Sequence, residues 1–187
     1  VGVGGPSASG KSTLAQWLAR LLDARILHQD RFYHTDSRVP RVQPPGAAEP
    51  VLDWDCPAAM DMPAFARAVA DARRHGLAAD AVGDNRPIIN DAEIPDGARR
   101  ALRTRIAQLT PADAADGWVI VDGFLIYDDP AVYEQLDVCL FLHASQRTLA
   151  ERRAARTGYV TTEGFWQDPP GYFEHVVWPN YLQYNRR

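Results

Sequence analysis

A chain of 187 residues with 46% hydrophobic content is of single-domain size and can bury one sizeable core. Its formal net charge of −4 argues against a general nucleic-acid surface, and no apolar run approaches the roughly 18 residues of a membrane span. Cys56 and Cys139 lie too far apart in sequence to form a metal or redox motif, and are read as two reduced, buried thiols of a cytoplasmic protein.

The chain opens on Val1 partway into a strand pattern and stops at Arg187 inside a helical one, so both ends are read as trimmed. "VGVGG" is the end of a buried strand, and 12–22 is a helix with Leu14, Trp17, Leu18 and Leu21 at helical spacing. "RILHQD" is a second strand with Asp30 at its carboxyl end. The stretch 36–57, rich in Pro and Gly, carries Trp54 between Asp53 and Asp55 and reads as a loop within an excursion over about 36–62. A helix over 60–75 can be terminated by Gly76, and another covers 99–109. No period emerges over 78–98, and the region 78–116 is left with the role of covering a sheet edge. "WVIVDG", ending on Asp122, and "DVCLFL" are further strands. Ser145 can cap a helix over 146–156, a lid spans about 152–171, and a last helix starts near Tyr172. Strands alternating with helices predict an α/β fold of three layers, a parallel sheet covered on both faces.

Of 20 basic residues only Lys11 is a lysine. It sits in Gly5-Pro6-Ser7-Ala8-Ser9-Gly10-Lys11-Ser12, which matches the phosphate-binding loop G-x-x-x-x-G-K-[ST] at every fixed position. Where arginine does the ordinary surface work, the remaining lysine marks a place that needs a compact ammonium rather than a wide guanidinium. The glycines let successive N–H groups of Gly5, Ser7, Ala8, Ser9, Gly10, Lys11, Ser12 and Thr13 turn toward an anion, and the following helix adds its positive end. Lys11 is placed on the β- and γ-phosphates of a nucleoside triphosphate, and the Ser12 hydroxyl on Mg²⁺.

Asp122 ends its strand where this kind of fold puts a second acid near the metal, although an Asp there also caps a turn. Asp30 sits at the carboxyl edge of the sheet, where open parallel sheets build their active crevice. It can take a hydroxyl proton or reach Mg²⁺ through water. Arg152 and Arg156, four apart on a helix, read either as a pair reaching a phosphoryl group in flight or as a solvated basic face. Trp54 reads either as a platform for a planar base or as a ring tucked onto the domain's own core. A GTPase would need N-K-x-D, which a chain with one lysine already placed does not have. One phosphate loop, an acid after the second strand and an Arg-rich lid suit a small-molecule kinase.

"GPSASGKST" followed by "HQDRFY" resembles both the nicotinamide riboside kinases and the uridine kinases. "LDWDCPAAMDM", "VDGFLIY" and above all "DPPGYFEHVVWPNYLQY" resemble the nicotinamide riboside kinase family, and the long lid resembles its fungal branch. That resemblance implies 5′-phosphorylation of nicotinamide riboside with ATP as donor and Mg²⁺ as cofactor; charge and hydropathy lead to the expectation of no nucleic-acid or membrane partner. It implies Asp30 as the base, Trp54 as the ring platform, and Asp55 on the ribose hydroxyls with Arg156 as the helping lid arginine. Asp168 and Tyr159 would close over the nucleoside. Ser12, Asp30 and Asp122 would serve the metal, and Arg152 the ATP side. Trp54 stands where the animal enzymes have Tyr, and Asp122 where they have Glu. A uridine/cytidine kinase and a non-catalytic nucleotide sensor remain the alternatives.

Overall fold

The computed structural model describes residues 1–77, 95–109, 117–160 and 164–185. The readings made over 78–94, 110–116 and 161–163 therefore lie outside the described residues. Strand β1 (Gly2–Gly4) feeds the phosphate loop and helix α1 (Lys11–Leu22), and β2 (Arg25–His28) follows. One short antiparallel pair, β3 (Arg41–Val42) with β4 (Val51–Leu52), lies in the excursion that the sequence reads as loop. Helices α2 (Met62–His75) and α3 (Asp96–Leu109) precede β5 (Val119–Asp122), α4 (Pro130–Tyr133), β6 (Cys139–Phe141) and α5 (Gln146–Ala154). The lid holds an antiparallel pair, β7 (Tyr159–Val160) with β8 (Phe165–Trp166), before a π-helical turn (Phe173–Val177) and α6 (Trp178–Tyr184).

The main sheet is parallel in the order β2-β5-β1-β6, and its two faces bury opposite sides of the same apolar strand. Ile120 of β5 packs with Val3, Ala15, Leu14 and Leu18 against α1, whereas its neighbour Val121 packs with Leu27, Phe65 and Val69 against α2. Strand alternation thus produces the three layers that the sequence predicts. Helix α2 starts where Asp61 accepts a bond from the Ala64 N–H at 2.9 Å, and stops at Gly76 with φ 72°.

Helix α3 lies against α1, with Arg103 donating to the Arg20 carbonyl at 2.7 Å; the rest of the region read as a sheet-edge cover, 78–94 and 110–116, lies outside the described residues. Three expectations change. Cys56 is buried but Cys139 is exposed, because its strand β6 is an edge of the sheet among the described residues. Helix α5 ends at Ala154, which leaves Arg156 beyond it. The last helix widens to a π turn before α6, where Pro179 lacks an N–H and crowds the preceding turn. No helix among the described residues is long and apolar enough to cross a membrane.

Candidate active site

The phosphate loop curls because three of its residues take left-handed or related backbone values: Gly5 (φ 143°), Ala8 (φ 65°) and Gly10 (φ 94°). Gly5 has a second reason to be glycine, since a Cβ there would stand 2.7 Å from the Leu142 carbonyl oxygen. Helix α1 starts immediately after Gly10 with no side-chain cap, so its first N–H groups are left for an anion. Lys11 folds back to donate to the Pro6 carbonyl at 3.4 Å. Burial lowers the Lys11 ammonium from its usual value, while the carboxylates of Asp122 and Asp30 act against that fall. Both acids are therefore within electrostatic reach of the loop's cation. Ser7, Ala8, Ser9 and Thr13 complete the loop and the first turn, and the Ser12 side of that turn is exposed.

At the carboxyl edge, β2 and β5 run in register with His28 beside Asp122. His28 Nδ1 lies 2.9 Å from Asp122 Oδ2, and Oδ1 of the same carboxylate is buried with no hydrogen-bond partner. Gln29, fully buried, accepts from the Leu125 N–H at 3.0 Å and so braces the turn after Asp122. Asp30 sits one residue further, in a 3₁₀ turn (Gln29–Phe32) rather than in the strand itself. Ser12, Asp30 and the unpartnered Asp122 oxygen are hard oxygen donors, a set that fits Mg²⁺, which binds through one or two carboxylates plus phosphates and water.

The opposite end of the cleft is built on Arg153, 7% exposed. Its Nη1 and Nη2 donate to the two Asp55 oxygens at 3.0 and 3.1 Å, and its Nε and Nη2 donate to Asp168 at 2.5 and 3.1 Å. Burial alone would lower the Arg153 value, but Asp55 and Asp168 outweigh it and hold the guanidinium charged. Trp54, 7% exposed, has Tyr33 edge-on at 5.5 Å and Trp166 of the lid at 6.2 Å between ring centroids. Trp54 Nε1 is buried without a partner, whereas Trp166 Nε1 donates to Asp168 at 2.9 Å.

Comparison with known proteins adds a lineage to this geometry. The AAA-domain family matches residues 1–165. The nicotinamide riboside kinase of Schizosaccharomyces pombe is 36% identical over 97% of this chain and 76% of its own length. The chain belongs to the nicotinamide riboside kinase family. The Eremothecium gossypii nicotinamide riboside kinase is 37% identical over 100% of this chain and 76% of its own. Nicotinamide riboside kinase 2 of Homo sapiens is 26% identical over 100% of this chain and 67% of its own.

The guanidinium that meets Asp55 in this chain is not the one singled out from the sequence. Asp55 meets Arg153, not Arg156; Arg156 lies past the end of α5 and donates to the Tyr159 hydroxyl at 3.0 Å. The face shared by residues four apart does not extend to a residue outside the helix. Arg152 points its Nη1 at the Ala8 carbonyl of the phosphate loop, 3.5 Å away. Arg153 was the missed residue, and the sequence carried a signal for it. Leu149, 1% exposed, marks the inward face of α5, and one turn on from it is Arg153. His28, Tyr33, Trp166, Tyr172 and Asn180 were missed as well; their contacts join segments that no local pattern connects.

Proposed function

We propose that this chain transfers the γ-phosphoryl group of ATP to the 5′-hydroxyl of nicotinamide riboside, giving the mononucleotide and ADP. The observation that carries the reading is a phosphate loop that opens onto the uncapped start of α1 and shares one cavity, through Ser7, with Asp55 of the Asp55–Arg153–Asp168 cluster. Phosphoryl transfer needs positioning and charge neutralisation more than covalent chemistry from the protein. Loop amides from Gly5 to Thr13 and the Lys11 ammonium cradle the donor phosphates. Asp30 takes the proton from the 5′-hydroxyl as its oxygen attacks the γ-phosphorus and the bond to ADP breaks. Arg152 and Arg156 neutralise charge on the transferred group. Ser12, Asp30 and Asp122 would hold Mg²⁺, which when bound neutralises the phosphates.

On the acceptor side, Asp55 and Arg153 hold ribose hydroxyls, a role the carboxylate–guanidinium pair suits because it offers acceptors and donors side by side. Trp54 is the platform for the cationic pyridinium ring, with cation–π attraction favouring it over a neutral base. Asp168 and Tyr159 close the lid, and Trp166 covers Trp54 until the nucleoside displaces it. A coupled ADP-release assay over nicotinamide riboside, nicotinic acid riboside, uridine and cytidine tests the reading. Release dependent on nicotinamide riboside supports it. A preference for uridine overturns the substrate, and ligand-induced thermal stabilisation without ADP release overturns the catalysis.

A further inference from the structure

Asp53 and Asp55 flank Trp54 two residues apart, carry the same carboxylate, and yet have opposite partners. Asp55 binds the Arg153 guanidinium through both oxygens. Asp53 receives the Asn180 amide instead, with Nδ2 at 2.8 Å from Oδ1 and 3.0 Å from Oδ2. Oδ1 of Asp53 also accepts the Asp55 N–H at 3.1 Å. On the other side of the strip, the Tyr172 hydroxyl, 1% exposed with its residue, accepts the Trp54 N–H at 3.0 Å and donates to the Leu52 carbonyl at 2.9 Å. Tyr172 and Asn180 both belong to the C-terminal segment, over a hundred residues away from the strip in sequence.

We propose that Asn180 and Tyr172 are positioning residues for the nucleoside: they fix the twist of the Asp53–Trp54–Asp55 strip so that Asp55, and not Asp53, meets Arg153. The inference rests on the reading that Trp54 and Asp55 hold the nucleoside. The choice of a neutral amide at 180 is what makes the device selective. Burial pushes the Asp53 carboxyl up, so it needs donors, and a cation there would compete with Arg153 for the strip. An amide satisfies Asp53 without adding charge. The placement matters for transfer because Asp55, Asn180 and the phosphate-loop residue Ser7 line one cavity together with Phe124, Leu125 and Tyr181. A small rotation of the strip moves Asp55 relative to the donor phosphates, and sub-ångström placement is costly in such reactions.

The test compares Asn180→Ala, Tyr172→Phe and the exchange Asp53→Asn with Asn180→Asp. The single variants are expected to raise KM for nicotinamide riboside about tenfold while KM for ATP stays within about twofold. The exchange rebuilds the pair with donor and acceptor swapped, and is expected to bring KM back toward the starting value. Amide hydrogen exchange should quicken at Asp55 in Asn180→Ala and at Trp54 in Tyr172→Phe, with β1 and β5 amides unchanged. Equal rises in both KM values, or an exchange variant that folds yet behaves as the singles do, overturns the proposal. If the unaltered protein does not phosphorylate nicotinamide riboside, the function reading fails alone. The exchange rates then still decide the clamp, since unchanged Trp54 and Asp55 amides in the two singles would overturn it.

Discussion

The two ends of the cleft are built in opposite ways. At the phosphate end, nine consecutive residues, Gly5 to Thr13, supply most of what is needed, and they do it with backbone N–H groups at the start of α1. At the nucleoside end, Asp55, Arg153 and Asp168 come from three separate segments, and Trp54 and Trp166 from two of them. A backbone cradle depends on local dihedral angles, so it tolerates change in the side chains around it. A cradle of buried, mutually saturated ions depends on every partner being present, because a lone buried charge is far costlier than a pair.

That contrast can be broken at several points. The largest effect is expected at Asp30→Asn, which should retain ATP binding and lose about 10²–10⁴-fold in kcat, read by steady-state ADP release. A near-normal kcat would remove Asp30 as the base. Next comes the ion cluster. Arg153→Met strands Asp55 and Asp168 and should cost roughly 3–5 kcal/mol in chemical denaturation. Arg156→Met loses the Tyr159 contact and should cost about 1 kcal/mol or less. Similar losses for the two would contradict the central place given to Arg153.

Trp54→Ala should raise KM for the nucleoside much more than for ATP, and Trp54→Phe, which keeps a ring face, should recover part of it. Equal effects on both substrates would make Trp54 a packing residue. The smallest effect is a reactivity difference between the thiols. Burial pushes Cys56 up to about 11, so at neutral pH it is overwhelmingly the unreactive thiol, becoming thiolate only as pH rises toward that value. Cys139, exposed on β6, should label first with a thiol reagent. A Cys56 that labels as fast would mean that the nucleoside end opens readily, and added nucleoside should then slow it.

Much of this architecture was legible because the signals are local. "VIVD" reads as a doubly buried strand from its apolar run, and the structure sends Ile120 and Val121 to opposite layers. The phosphate loop is legible for the same reason, since its spacing of glycines and lysine encodes a backbone shape directly. Arg153 escaped because three arginines crowd one short helix, and only Leu149 hints at which of them faces inward. Asn180 had no signal at all; an asparagine in a C-terminal helix says nothing about a carboxylate at 53.

By itself, the sequence determined the layered α/β fold and the anion-binding turn, where periodicity and glycine placement act over a few residues. Only the tertiary structure decided which arginine joins Asp55 and which of two neighbouring aspartates faces the cleft. Those choices are made by buried electrostatics between segments far apart in the chain, and such energies exist only once folding has excluded water from between them.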